Sequence, residues 1–135
     1  MSRVIEIVAG VIRDTGGRVL TVRKRGTAAF MLPGGKREPG ESDLETLARE
    51  LREELGCELS SATHLGTFDA PAANEAGARV YGAIYLAYIA GELAVRAEIE
   101  ELMWLDPDGA APAPLAPLLE TQVLPRLRHG HSSVA

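Results

Sequence analysis

Residues 35–57 read GKREPGESDLETLARELREELGC, and the fold is organised around this stretch. Pro39-Gly40 breaks the chain, and Ser42 followed by Glu45 makes the S-x-x-E capping box that opens a helix. Gly56 supplies the position that can turn left-handed and close it. Between these limits Leu44, Leu47, Ala48, Leu51 and Leu55 fall within about 100° of arc if each residue advances about 100°, so one stripe of the helix is expected to face a core. Glu50, Glu53 and Glu54, at i, i+3 and i+4, are expected on the opposite face, close enough for their carboxylates to meet at one point.

Such a cluster works against its own helix. Glu50 and Glu54 are a like-charged i,i+4 pair, and the C-terminal end of a helix prefers cations. Arg49 and Arg52 offset part of this by pairing with Glu53, Glu45 or neighbours. The remainder suits a hard divalent cation, Mg²⁺ or Mn²⁺, because Mg²⁺ keeps several waters and binds one or two carboxylates together with substrate phosphate. Three glutamates alone read first as an ordinary solvated acidic face. Their spacing relative to Gly35, Glu41, Arg49 and Gly56 makes them a candidate site.

That spacing resembles the Nudix box, G-x5-E-x7-R-E-U-x-E-E-x-G-U with U aliphatic. Every defined position is matched except the last, where Cys57 stands for the aliphatic residue. The resemblance implies an α/β fold, the Nudix α/β/α sandwich, with the box helix on one side of a mixed β-sheet and a C-terminal helix on the other. It also implies a metal-dependent pyrophosphohydrolase that cleaves a nucleoside diphosphate linked to another moiety by attack of water on a P–O–P phosphorus. The implied substrate is a nucleoside di- or triphosphate or a nucleotide-sugar. Glu50, Glu53 and Glu54 would hold the Mg²⁺ or Mn²⁺, and the backbone at Gly35 would come close to it. Arg49 and Glu41 would orient those carboxylates. Similarity to nucleoside-triphosphate pyrophosphatases makes Glu50 the general base, whereas similarity to ADP-ribose pyrophosphatases places the base near Glu98, with Glu101 as second choice. Homodimers are frequent in the family. A nucleotide-sensing module that does not hydrolyse its ligand is the alternative reading, and an isopentenyl-diphosphate isomerase is remote, because that chemistry needs further Cys and Glu residues.

The chain has 135 residues and a net charge of -5. This length fits one domain, residues 1–135, with a tail at 129–135 that is expected to fray. An acidic surface opposes stable nucleic-acid binding. The first residues carry no secretory pattern and no apolar run reaches a membrane span, so a cytoplasmic protein is expected. Cys57, the one cysteine, is expected to be a buried apolar residue.

With so few cations to spare, those near the box become the candidates for phosphate. Arg23, Lys24 and Arg25 crowd the end of a predicted strand, with Arg23 and Arg25 sharing a face. Lys36 and Arg37 lie in the loop before Glu41. Arg23, Arg25 and Lys36, together with the Gly35 backbone, are the expected substrate contacts. Gly34-Gly35-Lys36 lacks the G-x-x-x-x-G-K-[ST] pattern of a P-loop.

Elsewhere Val4 to Ile12 and Arg18 to Lys24 are expected to form a hairpin about Asp14-Thr15-Gly16-Gly17. Phe30 to Pro33 reads as a short extended piece, His64 to Phe68 and Leu102 to Leu105 as short strands, and Arg79 to Ala90 as a strand buried between two layers. Leu115 to Leu127 is the expected terminal helix. Trp104 is expected in the core, and the loop from Asp69 to Ala78, with Asn74, is expected to influence substrate choice.

Overall fold

The computed structural model describes residues 3–128; the expected fraying at 129–135 lies outside the described residues. In chain order the elements are β1 (Arg3–Val11), β2 (Val19–Lys24), β3 (Gly34–Gly35), α1 (Asp43–Leu55), β4 (Glu58–Pro71), β5 (Ala78–Ala90) and β6 (Ile99–Leu105). A π-helical segment (Leu118–Val123) then runs into α2 (Leu124–Leu127). Four strands form a mixed sheet in the order β3-β1-β5-β4, in which β1 and β5 are parallel and the other pairs antiparallel. A second sheet pairs β2 with β6 antiparallel.

α1 forms as its sequence dictates. Ser42 accepts a hydrogen bond from the Glu45 amide at 3.2 Å, the Glu45 carboxylate accepts one from the Ser42 amide at 2.9 Å, and Gly56 ends the helix at φ 69°. Leu47, Leu51 and Leu55 are fully buried, each contributing about 1.5–3 kcal/mol. Leu44 departs from the expected stripe and is exposed, while Thr46 and Glu54 are buried. The exposed Leu44 lies in the first turn of the helix, before α1 has packed onto the sheet.

Alternation along β1 divides the core in two. Val8 packs with Leu47, Leu51, Leu20 and Ala83 beneath α1. Ala9, its neighbour, packs with Ile84, Leu119, Val123 and Leu124 beneath the terminal helical segment. Adjacent strand residues point to opposite faces, so helical layers cover both sides of the sheet as expected. β5 divides likewise, Ile84 to one core and Ala83 and Ala87 to the other. Cys57 is buried, and Trp104 packs partly buried against the α1 core.

Three expectations need correction. β1 and β2 are not a paired hairpin: both edges of β1 are taken by β3 and β5, so after one bridge at Arg13–Val19 the chain leaves to pair with β6. The short strand at His64 to Phe68 is the middle of a 14-residue strand. Its Glu58 to Thr63 half is too polar to reveal itself because β4 has β5 as its sole sheet neighbour, and its register slips twice. The terminal helix begins at Leu118 rather than Leu115, since Leu115 bridges to Phe30 and the Ala116 amide donates to the Phe30 carbonyl at 2.8 Å.

Candidate active site

β3 is a two-residue strand pressed against β1, with Ala9 opposite Gly34 and Val8 opposite Gly35. A Cβ on Gly34 would lie 2.1 Å from the Val8 carbonyl oxygen, and the residue sits at φ 155°. A Cβ on Gly35 would lie 2.4 Å from Glu50 Oε2. The absent side chains thus bring backbone into contact with a helix carboxylate. Gly34→Ala meets rigid backbone and is expected to destabilise by about 3 kcal/mol. Gly35→Ala meets the movable end of Glu50, so thermal melts should show a much smaller loss while steady-state turnover still falls.

Arg49 organises the carboxylates. Its Nε donates to Glu41 Oε2 at 2.7 Å, Nη2 to Glu41 Oε1 at 2.9 Å and to the Lys36 carbonyl at 3.0 Å, and Nη1 to Glu50 Oε2 at 3.0 Å and Glu53 Oε1 at 3.3 Å. Hydrogen bonding to Arg49 lowers the Glu41 carboxyl to about 2, with help from the Glu38 amide and the Thr46 hydroxyl. The same bonds hold Arg49 more firmly charged, Glu41 contributing most and Glu50 next. The planar guanidinium with its fixed fork of donors is what permits this many partners.

Glu54 has a different environment. It is 4% exposed, and its Oε1 accepts the Gly34 amide at 3.3 Å. Burial pushes its carboxyl well above the usual range, and the neighbouring Glu50 charge pushes it further. At about 100° per residue, Glu54 lies only about 20° around the helix from Leu47. It therefore belongs to the margin of the buried stripe, not to the opposite face. Glu53 turns outward to Arg49 with its side chain 53% exposed. Among the described residues no three acidic, His or Cys side chains already form a metal-ligating group. The expected meeting of three carboxylates at one point is instead a pair, Glu50 with Glu54, with Glu53 held aside by Arg49.

Glu50, Gly34 and Gly35 open onto a cleft of about 480 Å³. Lys24, Lys36 and Glu98 line this charged end, and Lys24 Nζ stands 3.9 Å from Glu98 Oε1. Apolar residues of β1 and of the terminal helical segment line the rest, among them Ile5, Ile7, Leu118 and Leu119. The arrangement offers anionic oxygen ligands, two ammonium groups and an apolar slot in one groove.

The NUDIX domain profile matches residues 5–127, nearly the whole described chain. The chain belongs to the Nudix family. It is 34% identical over 120 residues to the CTP pyrophosphohydrolase of Escherichia coli K12, covering 85% of each chain. Its structure resembles the crystal structure of a MutT NUDIX hydrolase from Burkholderia pseudomallei, with a TM-score of 0.72, 30% identity and coverage of 84% and 91% of the two chains. It also resembles the solution structure of the E. coli ORF135 protein, with a TM-score of 0.71, 30% identity and coverage of 93% and 92%. This is a Nudix hydrolase with the α/β/α sandwich of that family.

Within the Nudix site, the sequence-selected cations separate. Lys36 lines the cleft beside Gly35, whereas Arg23 and Arg25 do not. Arg23 pairs with Glu101 at 3.0 Å and donates to the Thr27 carbonyl at 2.8 Å; Arg25 pairs with Glu100 at 3.2 Å. Lys24, not one of the expected substrate contacts, lines the cleft instead. Strand alternation carried the signal: Leu20 and Val22 face the α1 core, and Lys24 continues that face to its margin, where the box carboxylates lie. Glu98 reaches the cleft, and Glu101 is turned away to Arg23. Arg37 joins Asp43 at 2.7 Å and Glu6 at 3.3 Å, and the Tyr85 hydroxyl donates to Asp43 at 2.7 Å, so the Nudix loop is pinned to β1, β5 and the start of α1.

Proposed function

We propose that this protein is a pyrophosphohydrolase of nucleoside di- or triphosphates that works with Mg²⁺ or Mn²⁺. The observation that carries this reading is the buried Glu54 beside Glu50, the carboxylate that lines the charged mouth of the cleft. A carboxylate pair of this kind fits a hard cation, and two carboxylates are what Mg²⁺ uses when substrate phosphate supplies further oxygens. Glu50 and Glu54 would hold the ion, with Glu53 joining them on release from Arg49. When bound, the ion would neutralise phosphate charge and lower the pKa of water.

The chain's own groups supply the rest. Lys24 and Lys36 draw the phosphates to the mouth of the cleft in a protein whose net charge of -5 would otherwise repel them. Arg49 donates to Glu50 Oε2 at 3.0 Å and so fixes the orientation in which Glu50 would accept the proton of the attacking water. Glu98 is the second candidate for that proton. If Glu98→Ala lowers kcat more than Glu50→Gln, the base is Glu98. Among the described residues no helix is long and apolar enough to cross a membrane, and a nucleotide substrate fits the proposed cytoplasmic setting.

The test is turnover of nucleoside triphosphates, oxidised nucleotides, dinucleoside polyphosphates and nucleotide-sugars with Mg²⁺ or Mn²⁺, with identification of the products. Chelator-sensitive release of a nucleoside monophosphate is expected. Nucleotide binding without any release would favour the sensing module. Lys24→Ala should raise KM by about tenfold, the loss of one close charge contact, while Arg25→Ala should leave KM within about twofold, as for an exposed ion pair.

A further inference from the structure

Between β5 and β6 the chain crosses the C-terminal end of α1. The last carbonyls of a helix have no partner within it, and the crossing segment supplies two: the Ala94 amide donates to the Leu55 carbonyl at 2.9 Å and the Arg96 amide to the Glu54 carbonyl at 3.0 Å. The Arg96 guanidinium lies on Gly56, where a Cβ would come within 2.8 Å of its Nε. Two residues later the Glu98 carbonyl accepts the Arg25 amide, just past β2, at 2.7 Å. Ala97 alone separates the anchor on α1 from the anchor beside β2.

The backbone of this bridge is irregular on both sides of Glu98. Ala97 has φ 55° and is the one non-glycine residue at positive φ among the described residues. The Ile99 amide donates to the Arg96 carbonyl at 3.1 Å, which closes a four-residue turn with Ala97 at its second position, a place where positive φ ordinarily calls for glycine or asparagine. Directly afterwards the pairing of β2 with β6 slips from Arg23 opposite Glu101 to Lys24 opposite Ile99, so Glu100 is an extra residue on β6. Such bulges redirect side chains beside active sites. Lys24 and Glu98 line the cleft here, while Arg25 and Glu100 pair with each other outside it.

Side-chain packing does not account for the aim of Glu98. Its side chain is 70% exposed, and the Lys24 ammonium at 3.9 Å is its one ionic partner among the described residues. Its direction therefore follows from the backbone that carries it. A left-handed alanine is unfavourable by itself and persists only where the surroundings impose it, and residues of this kind gather at functional sites. We infer that Ala97 is a positioning residue of this site: its left-handed backbone turns Glu98 into the cleft, and turnover depends on that conformation rather than on the methyl group. The inference rests on the hydrolase reading above and adds to it what holds Glu98 in place.

The experiment measures kcat, KM and melting temperature of the full chain with Mg²⁺ and the nucleoside triphosphate that it turns over fastest. Ala97→Gly and Ala97→Asn accept a left-handed backbone and should keep kcat within about threefold, and Ala97→Gly should melt about 3 °C higher as the penalty is removed. Ala97→Val, for which that backbone is a true outlier, should lower kcat by about tenfold with KM within about twofold, as when a group that orients a working side chain is lost. Should Ala97→Val fail to fold, Ala97→Leu makes the same demand without the branch at Cβ. The decisive comparison is in Glu98→Ala, itself expected to lower kcat by about tenfold or more. Adding the Ala97 substitution there should bring no further fall, because two changes that act through one group are not additive. A further fall of about tenfold in that background would reduce Ala97 to a general structural role and overturn the inference. Parental kcat in Ala97→Val or in Glu98→Ala would also overturn it, as would a loss in Ala97→Asn equal to that in Ala97→Val. Absence of turnover by the parent chain across the whole nucleotide panel would sink the hydrolase reading itself, and the inference with it.

Discussion

Glu54→Gln is expected to lose activity and gain stability. Removing one charged ligand from the Glu50–Glu54 pair should cost about 4 kcal/mol of transition-state stabilisation, or about a thousandfold in kcat/KM. The same change removes a group whose charged form burial and Glu50 both oppose, so in chelator the variant should be more stable by about 1 kcal/mol. The gain should depend on pH. Folding raises the Glu54 pKa above its unfolded value of about 4.5, so the native state retains a proton that the unfolded chain releases. That contribution to stability is full below the unfolded pKa and disappears as pH rises through the folded one. Melts of the parent chain should therefore decline with rising pH through this window more than those of Glu54→Gln. Glu53→Gln makes the contrast, because Glu53 is half exposed: turnover should fall without a matching gain in melting temperature. A Glu54→Gln variant with parental turnover would end the assignment.

Arg49→Lys is the second large effect. The guanidinium joins both oxygens of Glu41 to Glu50, Glu53 and the Lys36 carbonyl, and an ammonium cannot reproduce this fork. Glu50 would lose the partner that fixes its orientation, and the loop carrying Gly35 and Lys36 would lose its tether. A fall of about a hundredfold in kcat is expected, in the range seen when the partners that orient metal-ligating groups are removed. A drop of about 5 °C in melting temperature should accompany it. Acid behaviour gives an independent check. Glu41 is held down to about 2 from an ordinary 4.5, mainly by Arg49, so its contribution is present above the unfolded pKa and is lost as pH falls toward the folded one. In Arg49→Lys that acid limb should flatten; an unchanged limb would mean that Arg49 does not govern Glu41.

The helix was legible because its signals are local. Ser42, Glu45 and Gly56 act within one turn of the residues they cap, and the buried positions of Leu47, Leu51 and Leu55 follow from a period that any sequence displays. The long β4 was hidden for the converse reason: Ser60, Ser61 and Thr63 lie on an edge strand where no core demands apolar residues. Arg23 and Arg25 drew attention by number and by sharing a face, yet their partners Glu101 and Glu100 lie more than seventy residues away. Lys24, between them, had the alternation in its favour but no local feature to single it out.

From its sequence alone this protein has a capped helix, a row of leucines, the spacing of Gly35, Glu41, Arg49 and three glutamates, and hence its resemblance to Nudix hydrolases. Tertiary structure decided that Glu54 is buried while Glu53 is not, that Lys24 rather than Arg23 or Arg25 faces the carboxylates, that β2 joins β6, and that an apolar slot extends from the charged mouth of the cleft. Helical periodicity and capping depend on residues a few positions apart. Burial, ion pairing and the shape of a cleft depend on which distant segments meet, and those contacts are set only when the sheet and its two covering layers have packed.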